Sequence, residues 1–143
     1  MNGDVVHDTS VVIKWFRQGE VLAGPALALR DAYLDGQIAA SAPSLLAYEL
    51  ANVLRYKSDL TPHQVQEAVQ SLFDMSLELI PPSSAVMQRA VEIAHTCDTT
   101  VYDAAFAALA ESLNATFITA DERLVHRLET LPCVRFLGAM DSE

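Results

Sequence analysis

The chain is poor in positive charge. Nine Lys and Arg stand against nineteen Asp and Glu, a formal net charge of −10. Binding to nucleic acid without sequence preference rests on Lys and Arg, so this balance alone argues against it. Cysteine is scarce too. Cys97 and Cys133 lack metal-ligand spacing; one falls on an apolar helical stripe and the other follows Pro132, so both read as ordinary reduced residues. The four histidines, His7, His63, His95 and His126, share no ligand spacing and read as structural or surface residues. No Ser–His or Cys–His arrangement is evident, which leaves covalent hydrolysis without a nucleophile. No apolar run is long enough to span a bilayer. The first ten residues, MNGDVVHDTS, lack the basic and apolar regions of a secretion signal, so a cytoplasmic protein with no membrane role is expected. No repeat, linker or low-complexity stretch divides the chain, and one domain over residues 1–143 is expected.

What is present is apolar patterning. Hydrophobic residues make up 51% of the chain, enough to bury one core. Short apolar strands are expected at residues 5–8, 38–41, 77–80, 116–119 and 134–137. Helices are expected between them. The first, capped by Thr9 or Ser10, runs through Trp15; the second covers 21–34; the third opens at Pro43 and runs to about Lys57 with Leu46, Leu50, Val53 and Leu54 as its stripe. Thr61-Pro62-His63-Gln64 is a capping box with Pro at the first helical position, and Val65, Ala68, Val69, Leu72 and Phe73 form the buried face that follows. Ser83 or Ser84 caps the next helix. Thr100 caps an Ala-rich helix that reaches Leu113, where Asn114 stops it as a left-handed residue would. A short helix is expected over 121–128. Strands alternating with helices imply a three-layer α/β/α sandwich around a central parallel sheet.

Four acids stand out against this frame. Asp8 ends the first strand, Asp103 sits in the first turn of the Ala-rich helix, and Asp121 follows the fourth strand. Each has a bland reading as a cap or turn residue. Glu49 does not: it lies inside SLLAYELANVL, with Leu45 and Val53 as neighbours four residues away and only an amide, Asn52, at three. A carboxylate on so apolar a helix is costly unless something compensates it. In an open parallel sheet, ligands bind beyond the carboxyl ends of strands, and these acids can be brought to that edge. Crowded carboxylates repel and raise one another's pKa unless a cation joins them. An all-oxygen donor set without His or Cys selects a hard ion, Mg²⁺ or else Mn²⁺.

VVHDTSVVIKWF, APSLLAYELANVLR, TTVYDAAFAALA and FITADERL, in this order, resemble the signatures of the PIN domain, and more narrowly the VapC-type toxin ribonucleases of toxin–antitoxin pairs. The resemblance implies that Asp8, Glu49, Asp103 and Asp121 hold the metal and carry catalysis, with the hydroxyls of Thr9, Ser10 and Thr119 beside them. It implies Mg²⁺-dependent hydrolysis of RNA phosphodiesters, a homodimer, and a cognate antitoxin that blocks the groove. His7 departs from the family, which usually has an apolar strand residue there; alternation turns it away from Asp8. An RNA groove still needs cations, and Lys14, Arg17, Arg55, Lys57, Arg123 and Arg127 are the candidates. Trp15 and Phe16 are candidates for stacking on the substrate or for a dimer face, with core packing the preferred reading. The alternatives are a PIN nuclease that is not a toxin, a degenerate PIN scaffold that only binds partners, and a receiver-like Mg²⁺-binding signalling module. A receiver pairs acids near its first strand and carries a Lys after its last strands, where this chain has Thr119-Ala120-Asp121.

Overall fold

The computed structural model describes residues 3–142, so the two ends of the expected 1–143 domain lie outside the described residues. Five strands, β1 (Asp4–His7), β2 (Ala39–Pro43), β3 (Glu78–Ile80), β4 (Thr116–Thr119) and β5 (Val134–Phe136), form one sheet in the order β3-β2-β1-β4-β5. Every pairing is parallel, with Val5 opposite both Ala40 and Thr116. β1 is therefore central, and its Val5 and Val6 are fully buried. The strand order reverses direction at β1, so a crevice opens between the carboxyl ends of β1 and β4.

Seven helices flank the sheet: α1 (Thr9–Phe16), α2 (Ala23–Leu34), α3 (Leu45–Arg55), α4 (Pro62–Asp74), α5 (Ser84–Cys97), α6 (Val101–Leu113) and α7 (Glu122–Arg127). A 3₁₀ turn, Leu137–Ser142, follows β5. The expected α/β/α sandwich with a parallel sheet is the observed fold. α6 packs on β1, β2 and β4 and is covered in turn by α5. All seven residues from Ala104 to Ala110 are buried, which explains its composition: a helix enclosed on every side is apolar all round, and alanine lets neighbours approach closely. Phe106 stacks on Phe117 of β4 with ring centroids 6.0 Å apart. Trp15 of α1 donates its indole N–H to the Ala26 carbonyl at 2.8 Å, tying α1 to α2.

The expected caps form where local chemistry alone decides them. Thr61 and Gln64 make the full capping box on α4, and Ser83, not Ser84, caps α5. Thr100 Oγ1 accepts from the Asp103 N–H at 3.0 Å, and Asn114 closes α6 at φ 53°.

Several boundaries differ from expectation. Asp8 lies one residue past β1, at the N-cap position of α1, and Thr9 is already helical; the Val11 N–H takes the Asp8 carbonyl at 3.0 Å, so the backbone closes that turn. Pro43 does not open α3 but ends β2. It is opposite Ile80, beyond the last β1 pairing at Ser41, so its missing N–H leaves no β1 acceptor unanswered. α2 starts at Ala23 rather than 21, after Leu22 in a left-handed conformation. α3 stops at Arg55, short of Lys57. β2 and β3 begin one residue late, at Ala39 and Glu78, and β5 ends at Phe136. Asp121 and Leu128 bracket α7 instead of belonging to it. On α4 only Ala68 and Leu72 are buried, while Phe73 is 55% exposed.

Candidate active site

The crevice between β1 and β4 is built from the two chain reversals that follow those strands. Asp8 leaves β1, and its backbone N–H still pairs with the Ile118 carbonyl of β4 at 2.9 Å, so its position is fixed by the sheet. Asp8 Oδ2 accepts two hydroxyl protons, from Ser10 at 2.6 Å and from Thr119 at 2.8 Å. Each hydroxyl oxygen takes a backbone donor in return: Ser10 from the Ala120 N–H at 2.9 Å, Thr119 from the Asp121 N–H at 3.1 Å. A hydroxyl has one proton, so with both protons committed to Asp8 the directions of this network are set. Burial pushes the Asp8 carboxyl up, the Asp103 charge adds to that, and the two hydroxyls oppose it.

The other three acids come from three further elements. Glu49, on α3, accepts from Thr9 Oγ1 at 2.7 Å, and its carboxyl is raised first by burial and then by Asp8 and Asp103. Asp103, in the first turn of α6, is raised by burial and next by the Asp121 charge. Asp121 caps α7, its Oδ1 accepting from the N–H groups of Arg123 at 3.0 Å and Leu124 at 3.2 Å. The four carboxylates and the Thr9 and Ser10 side chains line one cavity of about 490 Å³. Thr119 lies behind Asp8, fully buried. What relieves Glu49 is the Thr9 hydroxyl and its place on the cavity wall rather than in the apolar core.

A profile of the PIN domain matches residues 5–129 of this chain. The chain belongs to the PIN-domain family. PIN domains are nucleases and generally use divalent metal ions. Solved structures with the same fold include VapBC2 from Rickettsia felis bound to a DNA fragment from their promoter. That match has TM-score 0.69 and 14% identity over 93% of this chain and 96% of that one. FitAcB from Neisseria gonorrhoeae matches with TM-score 0.68 and 16% identity, over 92% and 95% of the two chains. VapBC-1 from nontypeable Haemophilus influenzae matches with TM-score 0.68 and 18% identity, over 94% and 98%. At these identities the likeness is one of fold. A comparison with curated protein sequences finds no significant match.

The donor set of this PIN domain fits a hard divalent ion. It is all oxygen, and three of its four acids are held above the ordinary carboxylate range by burial and mutual repulsion, the two penalties that a cation relieves. Among the described residues, no three His, Cys, Asp or Glu side chains already stand in an arrangement that grips an ion.

The histidines stay apart from the site. His7 is fully buried, edge-on to Trp15 at 5.1 Å, and neither ring nitrogen has a hydrogen-bond partner. Burial lowers its pKa to about 4. Of the six candidate cations, Lys14 alone lines the cavity. Arg17 pairs with Glu20 and Asp59, Arg55 sits over the Tyr56 ring at 4.6 Å, and Arg127 donates to the Asp98 carbonyl. Sequence reasoning did not assign two polar cavity residues, Asn52 and Glu20, to the site. Asn52 was findable, three positions after Glu49 on the same helix face. Glu20 lies in an irregular segment after α1, and no periodicity marks it.

Proposed function

We propose that this protein is a Mg²⁺- or Mn²⁺-dependent ribonuclease, the toxin of a type II toxin–antitoxin pair, acting in the cytoplasm as a homodimer. The observation that carries the reading is the meeting of Asp8, Glu49, Asp103 and Asp121, from four separate elements, on one cavity at the point where the strand order reverses. The family match supports hydrolysis of a nucleic acid. RNA as the substrate and an antitoxin as the partner rest on the resemblance of the four motifs to VapC-type toxins, and the fold shared with VapBC and FitAB structures agrees with it.

Each residue has a definable part. Ser10 and Thr119 hold Asp8 by one oxygen, Thr9 holds Glu49 by one, and the α7 amides hold Asp121 by one. The second oxygen of each of these three carboxylates accepts none of these bonds. Asp8, Glu49, Asp103 and Asp121 would hold the ion. Once bound, it would polarise a phosphoryl oxygen and lower the pKa of a water for in-line attack. Lys14 is the cation placed to meet the substrate's phosphates. The net charge of −10 suits a basic antitoxin segment, whose Arg or Lys would pair with the same carboxylates and compete with the metal.

The test is cleavage of total RNA by the purified protein with and without Mg²⁺. Asp8→Asn, Asp103→Asn and Asp121→Asn should each lower the rate by about 10²-fold or more while circular dichroism stays unchanged. Wild-type rates in all three would show that the site is elsewhere. Co-purification under gentle low-salt conditions, with the neighbouring genes intact, should recover a small basic protein. Recovery of the chain alone would favour a free PIN nuclease.

A further inference from the structure

The cavity's one lysine is already occupied. Ser10 and Lys14 are four residues apart on α1, so the helix that places Ser10 against Asp8 also places Lys14 on the cavity wall. Its Nζ lies 3.6 Å from Glu20 Oε1, and the two side chains are only 10% and 15% exposed. The other Glu20 oxygen takes the Arg17 guanidinium, which in turn donates to Asp59 Oδ1 at 3.0 Å. Gly19, at φ +80°, lets the chain reverse directly after α1, and Glu20 returns over the helix end as a cavity residue itself. A fifth carboxylate thus sits inside the acidic groove. Both of its oxygens face the two cations that an incoming phosphate would need.

We propose that Glu20 is a specificity-determining stand-in for substrate phosphate: it holds Lys14 and Arg17 until a phosphate of a nucleic-acid strand replaces it. The inference rests on the nuclease reading and deepens it. Three physical arguments support it. The other side chains lining the groove are negative or neutral, so beside a bound metal ion Lys14 is the positive charge it offers a polyanion. A carboxylate and a phosphate oxygen accept from Lys and Arg in the same way, so one replaces the other without rebuilding the site. The exchange also discriminates, because a ligand that cannot satisfy Lys14 leaves a poorly exposed charge unpaired, whereas Arg17 keeps Asp59. Glu20 is a positioning residue in this scheme, acting through Lys14 and Arg17.

The experiment measures binding of a short fluorescein-labelled single-stranded RNA by anisotropy, across a range of salt concentrations with Mg²⁺ present. The full chain carries Asp8→Asn so that the probe survives. Adding Glu20→Gln should tighten binding about two- to fivefold at low salt. The slope of log K against log salt should stay that of the parent, because the same phosphates are neutralised in both complexes once Glu20 has been displaced. A steeper slope, by about 0.7 for each further phosphate neutralised, would show that Glu20 keeps its cations in the parent complex and would overturn the exchange. Lys14→Gln with Glu20 intact should weaken binding and flatten the slope by a similar amount, which keeps the idea testable if Glu20→Gln folds poorly. Equal affinity and slope in all three folded proteins would overturn the role of Glu20 alone. No RNA binding by the parent at any salt would overturn the nuclease reading with it.

Discussion

Thr119→Val tests whether the hydroxyl pair behind Asp8 holds the site together. Thr119 is fully buried and Val has nearly its shape, so the substitution leaves no cavity and removes only the hydroxyl. Two bonds go. The one donated to Asp8 Oδ2 at 2.8 Å has an ionisable acceptor and contributes about 1.5–3 kcal/mol. The one accepted from the Asp121 N–H at 3.1 Å contributes about 1 kcal/mol. Asp8 keeps Ser10 as a donor, which limits the damage. The expected loss is therefore about 2–4 kcal/mol, read as a lower urea midpoint at unchanged m. Thr119→Ser, which keeps the hydroxyl and deletes a methyl, should lose only about 1 kcal/mol. Combined with Asp8→Asn, the Thr119→Val effect should shrink, since the pair shares one bond. If Thr119→Val matches the parent within about 0.5 kcal/mol while Thr119→Ser is the worse of the two, packing and not the hydroxyl network fixes Asp8.

Three further outcomes are expected. Mg²⁺ at 100 times its dissociation constant should stabilise the fold by about 2.7 kcal/mol, and the gain should be smaller in Glu49→Gln; melting curves with millimolar metal check this, and no shift in the parent would count against a clustered site. In EDTA, Asp8→Asn should be more stable than the parent at neutral pH. The Asp8 carboxyl is raised above its unfolded value of 3.8, so its favourable contribution is complete below that value and is lost as pH rises through the folded pKa. The advantage of Asp8→Asn should accordingly fade on acidification, and a constant difference from neutral to acid pH would refute the assignment. His7 acts in the opposite sense: with its pKa lowered from 6.5 to about 4, the parent should lose stability as pH falls across that window. His7→Phe should flatten this dependence and, by removing two unpartnered ring nitrogens, be at least as stable at neutral pH; chemical denaturation at several pH values decides it.

The sequence by itself determined what depends on neighbours within about one helical turn. The caps at Thr61 and Thr100, the left-handed stop at Asn114 and the alternation of strands with helices are of this kind, because each is decided by interactions three or four residues apart. Glu49 was legible as an anomaly for the same reason: its own helix supplies nothing to pair with a carboxylate. Tertiary structure decided what requires partners far along the chain. Pro43 joins a strand because Ile80 lies opposite it, and no local signal carries that register. The sheet order sets β1 beside β4, and only then can Thr119 reach Asp8 across 111 residues and Ser10 meet Ala120 across 110. Glu20 is the extreme case. An acid in an irregular segment has no period to betray it, and its place against Lys14 exists only because the chain reverses at Gly19 and returns over the end of α1.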